Sequence, residues 1–276
     1  LAPTDEQRQA AVEIADSLRY GHYANINFDP QWSEEAFQRY LDILDGQRAY
    51  LLNRDIEPYR HLENEMAEAL FEGELDDAFA LYNRLSERHT ARLEWLLARL
   101  DEGLSLEFES DERLEVDRES APWASRESEL DELWRKRLKN DALTLALTGQ
   151  DDEQIENNLR QRYEGQLTRL RQTESEDVFG LLMAAVSSTI DPHTGYLSPR
   201  QGESFDIQMS LSLEGIGALL QADGEYVKVS SLVPGGPADR AGVLEPADRI
   251  IAVGQEDGEM VNVVGMRLDN VVDLIR

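Results

Sequence analysis

Gly215-Ile-Gly-Ala-Leu-Leu-Gln-Ala-Asp-Gly-Glu-Tyr-Val-Lys-Val-Ser-Ser-Leu-Val233 is where the chain changes texture. Up to about residue 200 the apolar residues recur at three and four, the period of one helix face. Beyond residue 205, short alternating runs are separated by Gly, Pro and Asp-Gly signals. Residues 216–221 and 226–233 flank Ala222-Asp-Gly-Glu225 and read as the two strands of a hairpin. The pattern therefore predicts a mainly α chain, with an all-helical domain over residues 1–204 and a small α+β domain over 205–276.

In the first domain, Thr4 with Gln7 three residues later predicts a capping box, opening a helix through Ala11, Ile14 and Leu18 to the aromatic stretch at 20–23. A second helix is expected to start after Ser33, with Glu34 and Glu35 in its first turn and Phe37, Tyr40, Leu41 and Leu44 buried. A third opens at Asp55 and runs through Tyr59, Leu62, Met66 and Leu70. Residues 75–100 form a long fourth, with Phe79, Tyr82, Leu85, Leu93, Leu96, Leu97 and Leu100 on one side. The period is lost over 101–127, read as a connection containing Ala121-Pro-Trp123. It resumes at Leu130, Leu133, Trp134 and Leu138 and stops at Leu147-Thr-Gly149. Asp151 starts another helix to residue 171, and Ser175-Glu-Asp177 caps a deeply buried one that ends at Asp191-Pro192.

In the second domain, Gly235-Gly-Pro-Ala238 leads into a short helix over 238–241 closed by Gly242. Strands are expected over 249–253 and 260–264, a turn over 255–259, and an amphipathic helix over 268–276. Gly215-Ile-Gly217 is the sharpest local feature. A dinucleotide fingerprint would need a third glycine where Leu220 stands and a helix after it, whereas a strand follows. The other use of such a turn is to expose successive backbone N–H groups to a carboxylate, with Ile216, Gly217 and Ala218 supplying the amides after Gly215. Leu268, Val271, Val272 and Ile275 form the apolar face of the last helix and would wall a groove beside that strand. An extended peptide could add to the strand there, with its terminal carboxylate on the amides. Two plainer readings stay open: a glycine turn without a ligand, and Val271 or Ile275 simply filling the small core.

Composition narrows the function. Fifty-six Asp and Glu against 27 Lys and Arg give a net charge of −29, so the chain has no basic surface to displace counterions from nucleic acid or anionic lipid. Of that charge, −21 falls on the first 200 residues and −8 on the rest. Only Lys136, Lys139 and Lys228 are lysines, and 24 basic residues are arginines. Few lysines amid abundant acid suggest a salt-tolerant or marine bacterium. Without cysteine there is no disulfide, thiolate metal site or cysteine nucleophile. No apolar run approaches the roughly 18 residues of a membrane span. His22, His61, His89 and His193 are scattered, and Asp191-Pro-His193 alone pairs histidine with a nearby carboxylate, too few ligands for a metal site. None of the three lysines resembles a desolvated base for a serine nucleophile. No catalytic residue, metal or cofactor is expected within these residues.

Ala121-Pro-Trp123, Ser175-Glu-Asp-Val-Phe179, Ile190-Asp-Pro-His-Thr-Gly-Tyr-Leu-Ser-Pro199, Met209-Ser-Leu-Ser-Leu-Glu-Gly-Ile-Gly217 and Gly235-Gly-Pro-Ala238 occur in that order. Together they resemble the bacterial tail-specific proteases, the large periplasmic C-terminal processing peptidases. The resemblance implies a helical N-terminal domain, then a PDZ domain, then a protease domain whose Ser/Lys dyad cuts proteins selected by apolar C-terminal tails. By that analogy Ile216, Gly217 and Ala218 are the carboxylate loop and the helix at Leu268 is the opposite wall. The chain opens Leu1-Ala-Pro-Thr4, with no initiator Met or signal stretch, and stops at Arg276, so the expectation is a periplasmic fragment. Its signal peptide would have been removed, and its last PDZ strands and protease domain would lie beyond it. The expected partners are substrate tails, with room for an adaptor protein on the helical domain. The rival reading is a non-enzymatic helical scaffold whose PDZ-like module only captures tails.

Overall fold

The structure, a computed structural model, describes residues 1–103, 111–210, 215–254 and 260–275. It forms two compact units, Leu1–Tyr196 and Leu197–Arg276.

The first unit contains α1 (Asp5–Tyr20), α2 (Pro30–Asp45), α3 (Asn53–Ile56), a 3-10 turn (Glu57–Tyr59), α4 (Leu62–Glu72), α5 (Asp76–Asp101), α6 (Glu127–Leu147), α7 (Asp152–Arg171) and α8 (Ser175–Ser188). α1 starts on the reciprocal Thr4–Gln7 box and α7 on the same device between Asp151 and Gln154, each satisfying two N–H groups that a helix start leaves open. α5 is 26 residues long, about 39 Å, and serves two cores. Its first half puts Phe79, Leu81, Tyr82 and Leu85 among α1, α2, α4 and α8. Its second half puts Leu93, Leu96 and Leu100 against α6 and α7.

Two helix expectations are corrected here. α2 begins at Pro30, because Asp29 accepts from Trp32 N–H and proline fits the first helical position. Ser33 is consequently interior, where its hydroxyl accepts from the Ala67 N–H at 3.1 Å. The helix expected from Asp55 through Leu70 is broken into α3, the 3-10 turn and α4, since Pro58 offers no N–H and its ring opposes a continuous α-helix. Asp55 does not open α3 but sits in its first turn and accepts from the Leu52 N–H at 3.0 Å.

Three of the segments quoted for the family resemblance make structural ties in this unit. The Arg48 guanidinium lies 4.3 Å from the centre of the Trp123 ring, and Asn53 N–H donates to the Ala124 carbonyl at 2.9 Å. Gln7 donates to Ser175 Oγ and Glu176 Oε2, and Tyr196 donates to Glu176 Oε1. Asp191 accepts from the His193 and Thr194 N–H groups, the Thr194 hydroxyl and the Tyr23 hydroxyl. Those bonds, led by the His193 N–H, hold its carboxyl below the usual range. Asp191 is thus occupied in fixing its turn. Among the described residues no cluster of His, Asp or Glu has metal-binding geometry, and no helix is long and apolar enough to cross a membrane.

The second unit contains α9 (Pro199–Ser210), β1 (Ala218–Asp223), β2 (Tyr226–Leu232), α10 (Pro237–Ala241), β3 (Arg249–Ile250), β4 (Ala252–Gly254), β5 (Met260–Asn262) and α11 (Leu268–Ile275). The hairpin turns at Gly224, whose φ of 64° suits glycine. One sheet has the order β1-β2-β3 and a second pairs β4 with β5, antiparallel throughout. The expected strand over 249–253 is therefore two: the chain changes partner at the exposed Ile251, pairing with β2 before it and β5 after it. The expected turn at 255–259 lies outside the described residues. α9 has no counterpart in the sequence reading. Val227, Val263 and Val271 form the fully buried centre, flanked by Leu220, Ile250, Val253, Leu268, Leu274 and Ile275.

Candidate peptide-binding site

Gly215 and Gly217 have φ of 138° and 73°, values that side chains oppose. They turn the chain into β1 so that the Ile216 carbonyl accepts from the Ala238 N–H and the Gly217 carbonyl from the Val233 N–H, each at 2.8 Å. No described residue accepts a hydrogen bond from the Ile216 or Gly217 N–H. The carbonyls are thus committed inward while adjacent amides are left to a ligand or water, the arrangement that suits a carboxylate.

A Cβ on Gly217 would lie 3.1 Å from Pro237 Cδ and 3.2 Å from Gly236 Cα. The Gly235-Gly-Pro turn is therefore the brace under the amide turn. The sequence reading gives those residues as the lead into a short helix and as one of the segments of the family resemblance, with no link to the amide turn. Their Gly-Gly-Pro composition was a signal that some backbone must approach closely.

β1 pairs with β2 alone among the described residues, which makes it an edge strand. A register shift between Leu219 and Leu220 leaves Ser230 as the extra residue on β2. Ala218 and Leu220 are half-buried and Leu219 is exposed. An extended segment could pair with the open side of β1.

α11 packs against the core through Val271, which is fully buried and joins Val227 and Val263. Val271 is thus an anchor of the helix, Leu268 and Ile275 are partly buried against the same core, and Val272 is half-buried outside it. The outer side of α11 carries Asp269 and Asp273, and Arg200 of α9 reaches both. Sequence reasoning did not find Arg200, because nothing local links a residue on one helix to a helix some seventy positions later.

Residues 14–200 match the family model described as the tail specific protease N-terminal domain, and residues 204–276 match the PDZ domain model. The tail-specific protease of Haemophilus influenzae is 37% identical over all 276 residues of this chain, which cover 39% of that protein. The carboxy-terminal processing protease CtpA of Bacillus subtilis is 39% identical over 100 residues, 36% of this chain and 20% of that protein. A crystal structure of the PDZ domain of a carboxy-terminal protease from Vibrio cholerae, in complex with peptide, shares 56% identity over 23% of this chain and 65% of its own, with a TM-score of 0.23. The chain spans about two fifths of the Haemophilus relative and a fifth of the Bacillus one. From its family models and its full-length similarity, this chain belongs to the tail-specific protease family.

Proposed function

We propose that this chain is the tail-recognition portion of a periplasmic serine endopeptidase of the C-terminal processing type. Its second unit takes the free C-terminus of a substrate. The terminal carboxylate sits on the amides of Ile216, Gly217 and Ala218, the peptide backbone adds to β1, and the last apolar side chain enters between β1 and Leu268, Val272 and Ile275. Hydrolysis is the work of a Ser/Lys dyad in a protease domain of the full-length protein, and no residue of this chain is assigned to it. The observation that carries the reading is the glycine turn with two uncommitted adjacent N–H groups at the head of an edge strand, set beside an apolar helix flank. A carboxylate on such amides makes charge-assisted hydrogen bonds, about twice as strong as neutral ones.

The test is a pair of octapeptides ending in two alanines, one with a free C-terminus and one amidated, titrated against the full-length protein. Amidation removes the charge and should weaken binding at least about tenfold. Equal affinities would dismiss the carboxylate-loop reading.

A further inference from the structure

We propose that Arg200 is a positioning residue of the peptide groove, gripping α11 from the side opposite the core so that its groove flank stays set against β1. The proposal takes from the tail-binding reading only what the groove holds.

α11 has eight residues, well below the roughly 12 to 15 at which an isolated helix becomes marginal in water. Its position must therefore come from its neighbours. Val271 is its fully buried residue, and Leu268, Leu274 and Ile275 lie on the same side. At about 100° per residue, Val272 falls on one flank, Asn270 on the other, and Asp269 and Asp273 together on the far side. Asp269 and Asp273 are like charges at a spacing of four, an arrangement that loosens a helix.

Arg200 answers that arrangement. Its Nη1 lies 3.6 Å from Asp269 Oδ2, and its Nη2 lies 2.9 Å from Asp273 Oδ2 and 3.0 Å from Asn270 Oδ1. Arg267 also reaches Asp269, at 3.2 Å, whereas Asp273 and Asn270 are bridged by Arg200. One planar fork thus spans a full turn of α11 on the flank away from Val272, a reach that a lysine ammonium lacks. Arg200 is itself held in the first turn of α9. Gln201 N–H donates to Ser198 Oγ at 3.3 Å, and Ser198 N–H donates to Gln201 Oε1 at 3.0 Å, a reciprocal box that pins this turn. The helix is therefore fixed between the valine core and the guanidinium, and its third side is left to the peptide.

Hydrogen exchange of the full-length protein, recorded without peptide, reads the grip directly. In Arg200→Ala the α11 amides should exchange about fivefold faster while β1 and β2 amides keep their protection, and affinity for the free-acid octapeptide should fall by a similar factor. Arg200→Lys should recover little of either. The double variant Arg200→Asp with Asp273→Arg, which exchanges the two charges, should recover both. Unchanged α11 exchange in Arg200→Ala overturns the proposal, and so does a loss of protection spread equally over β1 and β2, which would make Arg200 a general stabiliser. A wild-type protein that does not distinguish the free acid from the amide overturns the tail-binding reading instead, and the peptide-free exchange still decides the grip.

Discussion

Gly215 and Gly217 stand two positions apart and make different demands. At Gly215 the backbone has φ of 138°, but an added Cβ would meet nothing within 4 Å. At Gly217 the φ of 73° comes with the Pro237 ring at 3.1 Å and the Gly236 Cα at 3.2 Å. Gly215→Ala should then cost only backbone strain, about 1–2 kcal/mol. Gly217→Ala adds an overlap that can be relieved only by moving the Gly236-Pro237 backbone, which carries the Ala238 N–H bond to Ile216. Its cost to the second unit should reach about 3 kcal/mol, with loss of free-acid peptide binding. Hydrogen exchange at the β1–β2 amides measures the difference, because the tryptophans at 32, 95, 123 and 134 all lie in the first unit and their fluorescence is blind to the second. Equal destabilisation by the two substitutions would mean that the Pro237 contact carries no weight.

At the scale of elements, α3 depends on Asp55 in the way α11 depends on its neighbours. Four residues cannot sustain a helix alone, and α3 is held by one nearly buried carboxylate. Asp55 accepts from the Leu52 N–H, from Arg84 Nε at 2.8 Å and from Arg88 Nε at 2.8 Å. Arg88 also meets Glu127 in the first turn of α6, so the tie joins three helices. Burial alone would raise the Asp55 pKa, but Arg88, the Leu52 N–H and Arg84 outweigh it and hold the carboxyl below its usual range. With the folded value depressed, the group's contribution is complete above the unfolded carboxylate value of about 4 and is lost as pH falls through the lower folded value. Asp55→Asn should therefore lower the stability of the first unit by about 2 kcal/mol near neutrality, with a gap from wild type that closes in acid. Denaturant titrations followed by tryptophan fluorescence between about pH 3 and 7 check this, and a gap independent of pH would count against it. The same elements show what the sequence could reveal. The Thr4 box, the helix start at Asp151 and the Gly224 turn were legible because cap, partner and turn lie within a few residues of one another. The start of α2 differs from the expected one because Ser33 suits a cap by residue type alone, whereas the structure caps the helix at Asp29 and turns the Ser33 hydroxyl to Ala67, a contact made only in the fold. The Gly217–Pro237 approach and the Arg200 grip were not legible at all, since each joins residues whose proximity is a product of the fold.

For the whole molecule, the charge of −29 bears on surroundings rather than on one domain. Residues 201–276 carry 13 acids and 5 bases, about one net negative charge per ten residues, and the first 200 residues, at −21, carry the same density. The second unit is thus as acidic for its size as the helical one, and the unequal totals reflect length. Two salt effects oppose each other on such a surface. Exposed pairs such as Arg39–Glu35 and Arg126–Glu129 weaken when screened, but each contributes only about 0–1 kcal/mol. The acids exceed the bases by 29, and at low ionic strength, where the screening length is about 30 Å, that excess repels across a whole unit. The longer-ranged term should win. Raising NaCl from about 0.01 M to about 0.5 M shortens the screening length to about 4 Å, which should raise the melting temperature of the helical unit, followed by tryptophan fluorescence, by several degrees. The second unit, of equal charge density, should gain as well, read by exchange at its β1–β2 amides. A melting temperature that is flat or falls over this range would show that the ion pairs, not the unmatched acids, govern the surface, and the inference of a salt-rich habitat would go with it.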